Sequence, residues 1–255
     1  MSRPEEKPAG RYLYCLFASG EIQNFDLSGI AGHAVYAVHY QDLVAAVSNT
    51  PATYLEPARE HVLAHQKVTS AIMQKYTVLP VSFGTICKTE EELSKLLREI
   101  YPEAKKNLDR IKDKIEVGLK IFWNKETFLQ EIGEADPNIN RLKKEIAAAK
   151  EKGIDPYVLI IQLGQLVEEQ VQRKRQSYLH LIYKPLLVHA AEARLNDPIT
   201  EKMVLNAAFL INKDREAEFD QAVNNLYERF KNRLVFKYTG PWPPYNFVDI
   251  KITGV

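Results

Sequence analysis

The sequence predicts an α+β protein of two domains, the C-terminal one ferredoxin-like with extra helices. A chain of 255 residues is long enough for one large domain or two small ones. Strand patterns dominate its beginning and helical patterns its middle, and a strand–helix–strand pattern ends it. We place an N-terminal α+β domain at residues 11–115 and the C-terminal domain at residues 116–255, and we expect residues 1–10 to be a disordered tail.

The first predicted domain begins with strands. Residues 11–18 (RYLYCLFA) are rich in aromatic and other β-favouring residues, which indicates a strand. Residues 33–49 form two short strand patterns that turn at Gln41 and Asp42. Apolar residues then recur at helical spacing over residues 57–76.

A second strand and a second helix follow. Residues 78–86 (VLPVSFGTI) predict a strand that bends at Gly84. Thr89 and Glu92 have the spacing of a capping box, so a helix is expected from there. Pro102 should end or kink that helix.

The second predicted domain starts with a strand at residues 116–124. A helix should begin at 136–137 (Asp-Pro) and end at 152–153 (Lys-Gly), and another should begin at 155–156 (Asp-Pro). The last of these is expected to run from Pro156 towards Arg194, bent or broken at Pro185.

The stretch at 157–167 (YVLIIQLGQLV) allows two interpretations. It is apolar around most of the helix circumference, which predicts a buried core helix. The alternative is a surface that binds hydrophobic partner chains, where Gly164 permits close approach.

The chain ends in a strand (203–211), a helix (214–230) and a strand (233–239), with a possible edge strand at 247–253. An aromatic and proline-rich segment, KYTGPWPPYNFV, connects these last two strands at 237–248. We expect a preset turn from Gly240 to Pro244 that directs Trp242, Tyr245 and Phe247 onto the domain.

Composition and motifs exclude several classes of function. A net charge of +1 offers no field for nucleic acid or an anionic membrane, and no apolar stretch is long enough to span a bilayer. Cys15 and Cys87 lie in apolar runs and are expected as buried, reduced thiols, although a disulfide stays open. The common nucleotide-binding, hydrolase and zinc-protease motifs are absent. His61 and His65 share a helix face but have no further ligand at metal spacing, so we predict no catalytic, metal or cofactor residues.

Three segments together resemble the gas vesicle protein GvpF/GvpL family, in order from about Arg11 to Val248: RYLYCLF, VLPVSFGT and YTGPWPPYNFV. Ser82 stands where the family commonly has an arginine, and Cys15 where it often has a glycine. The residues that carry the two more specific motifs are Pro80, Val81, Phe83, Gly84, Thr85, Gly240, Pro241, Trp242, Pro243, Pro244, Tyr245 and Phe247.

The resemblance implies a non-enzymatic accessory protein of gas vesicle formation. Its implied partners are the hydrophobic shell protein (GvpA-type) and other accessory gas vesicle proteins, without a cofactor, and its implied place is the cytoplasm, associated with the vesicle. The sequence leaves the partner-binding residues open among a sheet edge, the long helix and the C-terminal corner.

Two alternatives stay open beside this expectation. One is a small-molecule enzyme with a pocket between its two domains. The other is an adaptor whose proline-rich segment binds an aromatic groove.

Overall fold

Strands and helices together form an α+β fold that divides into two compact units, in a computed structural model that describes residues 10–21, 24–51, 53–248 and 250. The first unit contains the described residues up to Glu116 and those from Pro241 onward. The second unit runs from Val117 to Gly240. The expected tail at 1–10 lies outside the described residues except for Gly10.

The sheet of the first unit is built around a strand that is buried along most of its length. Its described strands are β1 (Gly10–Ala18), β2 (Asn24–Ser28), β3 (Ala34–Tyr40), β4 (Leu43–Thr50), β5 (Val78–Pro80) and β6 (Ile86–Cys87). They follow the order β2-β3-β4-β1-β5, and β6 also pairs with β1. β1 is antiparallel to β4, β5 and β6, so it lies at the centre of this sheet.

Two helices complete the first unit. α1 (Arg59–Met73) buries His65, Val68 and Ile72. α2 (Glu90–Ile111) begins at Thr89, whose hydroxyl accepts a hydrogen bond from the Glu92 amide at 3.1 Å, as the capping box predicted. α2 continues through Pro102, because buried apolar residues on both sides of the proline hold the helix together. These residues are Leu93, Leu96, Leu97, Ile100, Ala104, Leu108 and Ile111.

The second unit has its own sheet. Its described strands are β7 (Lys114–Trp123), β8 (Glu192–Leu195), β9 (Met203–Asn212) and β10 (Leu234–Trp242), in the order β10-β7-β9-β8. The start of β7 and the end of β10 extend past the limits of the unit. β9 is buried over nine of its ten residues, as its unbroken apolar sequence predicted. The short strands β2 and β8 were not predicted, because five or four residues carry too little periodic signal.

The described helices of the second unit lie between β7 and β8 and between β9 and β10. They are α3 (Lys125–Ala135), α4 (Pro137–Glu151), α5 (Tyr157–Tyr178), α6 (Lys184–Leu187) and α7 (Glu216–Phe230). The helix expected from Pro156 towards Arg194 continues to Leu187. Its hydrogen-bond pattern changes just before Pro185, where a π-helical turn at Leu179–Tyr183 joins α5 to α6.

The C-terminal segment returns to the first unit, whereas we expected it in the second domain. Phe247 is fully buried there, at the end of a short 3₁₀ turn, Tyr245–Phe247. Asn246 donates two hydrogen bonds to the buried Glu116 carboxylate, from its backbone amide at 2.7 Å and from Nδ2 at 2.6 Å. Arg110 donates to the Phe247 carbonyl oxygen. Of the edge strand expected at 247–253, residues 249 and 251–255 lie outside the described residues.

Trp242 does not pack as predicted. β10 extends through Gly240 and Pro241 to Trp242, so the expected turn begins only at the buried Pro243 and Pro244. Trp242 is 38% exposed and Tyr245 is 39% exposed, and Phe247 is the aromatic residue of this segment that anchors the corner.

This anchoring predicts unequal losses of stability. Phe247→Ala should lower the free energy of unfolding by about 3–5 kcal/mol, because it removes a fully buried ring. Trp242→Ala should cost roughly half of that or less. Chemical denaturation of both variants measures the difference, and equal losses would contradict the assignment of Phe247 as the anchor.

Candidate partner-binding surface

A tight turn joins α4 to α5 and sets the position of both helices. Gly153 has a positive φ of 68°, which residues with a side chain rarely adopt. The Gly153 amide bonds the Lys150 carbonyl at 3.1 Å, and the Ile154 amide bonds the Ala149 carbonyl at 2.9 Å. This pair of hydrogen bonds is the Schellman motif, which ends a helix and satisfies its last carbonyl groups. The Lys-Gly sequence therefore marks the end of α4, as predicted.

Side-chain caps begin the two helices. The Asp136 carboxylate accepts a hydrogen bond from the Asn138 amide at 2.9 Å at the start of α4. Asp155 does the same for the Tyr157 amide at 3.0 Å at the start of α5. Both Asp-Pro pairs therefore act as the helix starts that the sequence predicted.

One side of α5 packs on α3 and α4. Gln170 donates to Asp136 at 3.3 Å, and Lys174 forms an ion pair of 3.1 Å with Glu131. The Tyr178 hydroxyl also donates to Glu131, at 3.3 Å. These polar contacts hold the C-terminal half of α5 against its neighbours.

The first half of α5 is apolar and exposed. Tyr157 and Val158 are each 64% exposed, Ile160 is 47% and Ile161 is 43%, and Ile154 just before the helix is 59%. A methyl group built on Gly164 would have no neighbouring atom within 4 Å. The prediction of a buried core helix is therefore wrong for this half.

We define the exposed apolar surface as Ile154, Tyr157, Val158, Ile160 and Ile161. Single apolar residues on a surface are common, but a contiguous group of large ones marks a site of interaction. Hydrophobic patterning in the sequence does not separate a core helix from a surface helix that awaits a partner. The fold distinguishes the two cases, because no element among the described residues packs over this side of α5.

The first family motif forms the loop between β5 and β6. Pro80 ends β5, and the Val81 amide bonds the Tyr14 carbonyl at 3.3 Å. Gly84, at a φ of +88°, donates its amide to the Tyr12 hydroxyl at 3.2 Å. Phe83 packs edge-on against the Tyr12 ring, and the Thr85 carbonyl accepts the Leu13 amide at 3.0 Å. This motif therefore binds the loop to the central strand.

The second family motif approaches the same aromatic group. Burial raises the pKa of the Tyr245 hydroxyl to about 12, and the nearby Thr69 side chain on α1 opposes that shift. The Tyr12 hydroxyl bonds Nδ1 of His65 at 2.9 Å, one helical turn before Thr69. The structure thus brings Phe83, Gly84 and Tyr245 near Tyr12 and α1, and it leaves Pro241 and Trp242 on the surface.

His65 has the chemistry of a core residue. It is 2% exposed, and burial lowers its pKa to about 4, against an opposing contribution from the Val81 backbone. The neighbouring His61 donates Nδ1–H to the Glu56 carbonyl at 3.1 Å. Cys15 and Cys87 are buried and free, and burial raises the pKa of Cys87 to about 11.

Within the described ranges, no three or more His, Cys, Asp or Glu side chains cluster in a way that would hold a metal ion. Over the same residues, no helix combines the length and apolarity that crossing a bilayer requires.

Comparison with known proteins gives one family. Residues 10–249 match the family described as gas vesicle synthesis protein GvpL/GvpF. The chain is 31% identical over 244 residues to gas vesicle protein F of Microcystis aeruginosa, covering 94% of this chain and 98% of the relative.

Two crystal structures are similar in fold. The gas vesicle protein GvpF of Microcystis aeruginosa has a TM-score of 0.78 at 29% identity, covering 95% of this chain and 100% of that one. GvpF of Anabaena sp. has a TM-score of 0.80 at 27% identity, covering 95% and 99%.

The buried His65 predicts a pH-dependent stability. Its pKa is about 4 in the folded chain and 6.5 when unperturbed, so only the unfolded chain binds a proton between those values. Stability is therefore lost as the pH falls from 6.5 towards 4, by about 2 kcal/mol at about pH 5. Denaturation of wild type and His65→Gln at about pH 7 and 5 should show a smaller loss in the variant. His61→Gln, on the same helix, is the control, and a loss that His65→Gln leaves unchanged would contradict the assignment.

Proposed function

The chain belongs to the gas vesicle synthesis protein GvpL/GvpF family, and from that premise we propose that it is an accessory or minor structural protein of gas vesicle assembly. It binds the hydrophobic GvpA-type shell protein and assists its nucleation or prevents its aggregation, together with other accessory gas vesicle proteins. Its working place is the cytoplasm, at the growing vesicle.

The observation that carries this proposal is the exposed apolar surface on α5. Five large apolar residues at 154–161 are between 43% and 64% exposed. Water disfavours such a patch by roughly 25 cal/mol for each Å² of apolar area. A partner with its own apolar surface removes both areas from water.

Self-assembly of apolar subunits gives the shell protein a reason to bind this surface. Apolar subunits that pair through exposed edges or patches also associate in wrong registers. A protein that covers one patch for a limited time slows the wrong associations and leaves the productive contact free. The hydrogen bond at Asp155 and the Schellman turn at Gly153 hold the start of α5 in a fixed position, so its apolar side chains stay exposed to solvent.

The scaffold behind this surface supports a second, structural proposal. The elements of the second unit follow a strand, helices, two strands, a helix and a strand, in the sheet order β10-β7-β9-β8. We infer that this unit is ferredoxin-like, with α4 and α5 as part of its extra helical material.

The family motifs play a supporting part in this proposal. Pro80, Val81, Phe83, Gly84 and Thr85 fix the loop beside β1, and Tyr245 and Phe247 fix the C-terminal segment. Pro241 and Trp242 stay at the surface, where they are available to a second contact.

Polar replacement on α5 tests the proposal. Tyr157→Ser with Ile161→Ser should weaken binding of the purified chain to the shell protein at least tenfold, because it removes two exposed apolar side chains. The free energy of unfolding should change by no more than about 0.5 kcal/mol per site, since neither residue supports the core. Pull-down of co-expressed shell protein and denaturation measure the two effects.

The matched control is Val188→Ser with Ile199→Ser. These residues are 72% and 70% exposed and belong to the same unit, but they lie outside the α5 surface. Equal binding by both double variants would reject the α5 surface. No binding by the wild-type chain, together with normal vesicles in a deletion strain, would reject the proposed function itself.

A further inference from the structure

The same face of α5 that is apolar at its start leads into a cavity at its end. Residues spaced by four and three positions lie on one side of a helix. We call this row the α5 stripe: Tyr157, Ile161, Gly164, Glu168, Val171 and Arg175. It is about 27 Å long, at 1.5 Å per residue.

The cavity at the end of the stripe has a volume of 610 Å³. This is within the range of pockets that hold organic groups. Trp123 and Phe128 form an aromatic wall, with ring centroids 5.2 Å apart, and Val167 and Val171 of α5 form an aliphatic wall. We call it the Trp123 pocket. Its residues all belong to the second unit.

The indole of Trp123, in the wall of the pocket, has a hydrogen-bond donor that the described residues do not use. Trp123 is 8% exposed, and its Nε1 atom is buried without a hydrogen-bond partner among the described residues. Buried indole N–H groups usually find an acceptor. This atom has almost no accessible surface, so the polar groups that a ligand in the cavity can reach are those of the rim.

The rim of the pocket carries more positive than negative charge. Lys125, Arg175 and Lys202 face Glu168 and Glu201 around it. Arg175 is engaged, since it donates to the Glu201 carbonyl at 2.7 Å, and Glu168 accepts from Gln172. The Lys125 and Lys202 ammonium groups have no ion pair or hydrogen bond within the described part of the chain. They are available to a carboxylate.

We propose that the α5 stripe binds an amphipathic helix of the shell protein and that the Trp123 pocket takes an aromatic or branched apolar side chain of that helix, next to a carboxylate that pairs with Lys125 and Lys202. This inference rests on the proposed function and names the part of the partner that binds. Gly164 lies midway along the stripe in open space, so it lets the backbone of the partner helix approach α5 closely. The apolar start of the stripe and the cationic pocket also fix the direction of the partner helix.

Two pairs of variants test the pocket within the full chain. Val167→Phe places a ring into the cavity, and Gln162→Phe adds the same ring at an exposed position of α5 that is three or four residues from no member of the stripe. Lys125→Glu with Lys202→Glu reverses the charge of two lysines at the rim, and Lys213→Glu reverses the charge of an exposed lysine elsewhere in the unit. We expect Val167→Phe and the double rim variant each to weaken binding to the shell protein at least tenfold, and both controls to stay within twofold of wild type.

A small probe tests the pocket without the partner. In a Trp242→Phe chain, Trp123 is the remaining tryptophan and reports on the cavity by its fluorescence. Titration with 3-phenylpropionate, a phenyl ring with a carboxylate, should change that fluorescence saturably, with a dissociation constant of about 1 mM. The signal should be lost in the double rim variant and kept in Lys213→Glu.

The outcomes separate this inference from the proposed function. If Tyr157→Ser with Ile161→Ser weakens binding but neither pocket variant does, the pocket inference is overturned and the proposed function stands. If 3-phenylpropionate binds but the shell protein does not bind at all, the proposed function and the assigned partner are rejected. The same result supports an aromatic carboxylate as the ligand class of the pocket. No saturable response to the probe overturns the pocket as a binding site.

Discussion

The first unit depends on burying two tyrosine hydroxyl groups without leaving them unpaired. Tyr12 and Tyr14 lie on β1, in the middle of the sheet, and both are fully buried. The Tyr12 hydroxyl contacts His65 at 2.9 Å and accepts the Gly84 amide at 3.2 Å. The Tyr14 hydroxyl bonds Ser48 at 2.8 Å and accepts the Ile30 amide at 2.7 Å. An unpaired buried hydroxyl costs about 1–3 kcal/mol, so these partners fix α1, β4 and two loops around β1.

Residues of both quoted motifs lie near the same buried groups. The Gly84 amide bonds the Tyr12 hydroxyl from a backbone with a positive φ, and Tyr245 lies near Thr69, one turn from His65 on α1. Segments that are distant in sequence therefore meet around β1 and α1. Such residues identify the family well, but they report little about the partner.

The second unit has the opposite character, since its most informative feature is surface that the unit does not bury. α5 is held on one side by Gln170, Lys174 and Tyr178, while its first half projects apolar residues into water. A helix that supported only its own unit would have polar residues on that face. In the proposed function, the α5 stripe and the Trp123 pocket are parts of one surface that the partner covers.

The sequence by itself determined the features that depend on neighbouring residues. The caps at Thr89, Asp136 and Asp155 and the helix end at Gly153 follow from side chains that bond backbone groups a few positions away. The apolar run of β9 and the helical spacing of α7 likewise identified a buried strand and an amphipathic helix, because each pattern repeats within one element.

Only the tertiary structure decided which patterned surfaces are covered. Residues 157–167 have the same hydropathy whether a neighbour packs on them or not, so the sequence favoured a core helix where the fold exposes one. The sequence did not distinguish Phe247 from Trp242, since both are aromatic residues of one segment. The packing of the C-terminal segment in the first unit buries Phe247 and leaves Trp242 partly exposed. The Trp123 pocket joins residues 123–128, 167–175 and 201–202, and no local pattern shows that these meet. The physical reason is that burial is a property of non-local packing, whereas capping and periodicity are properties of the chain itself.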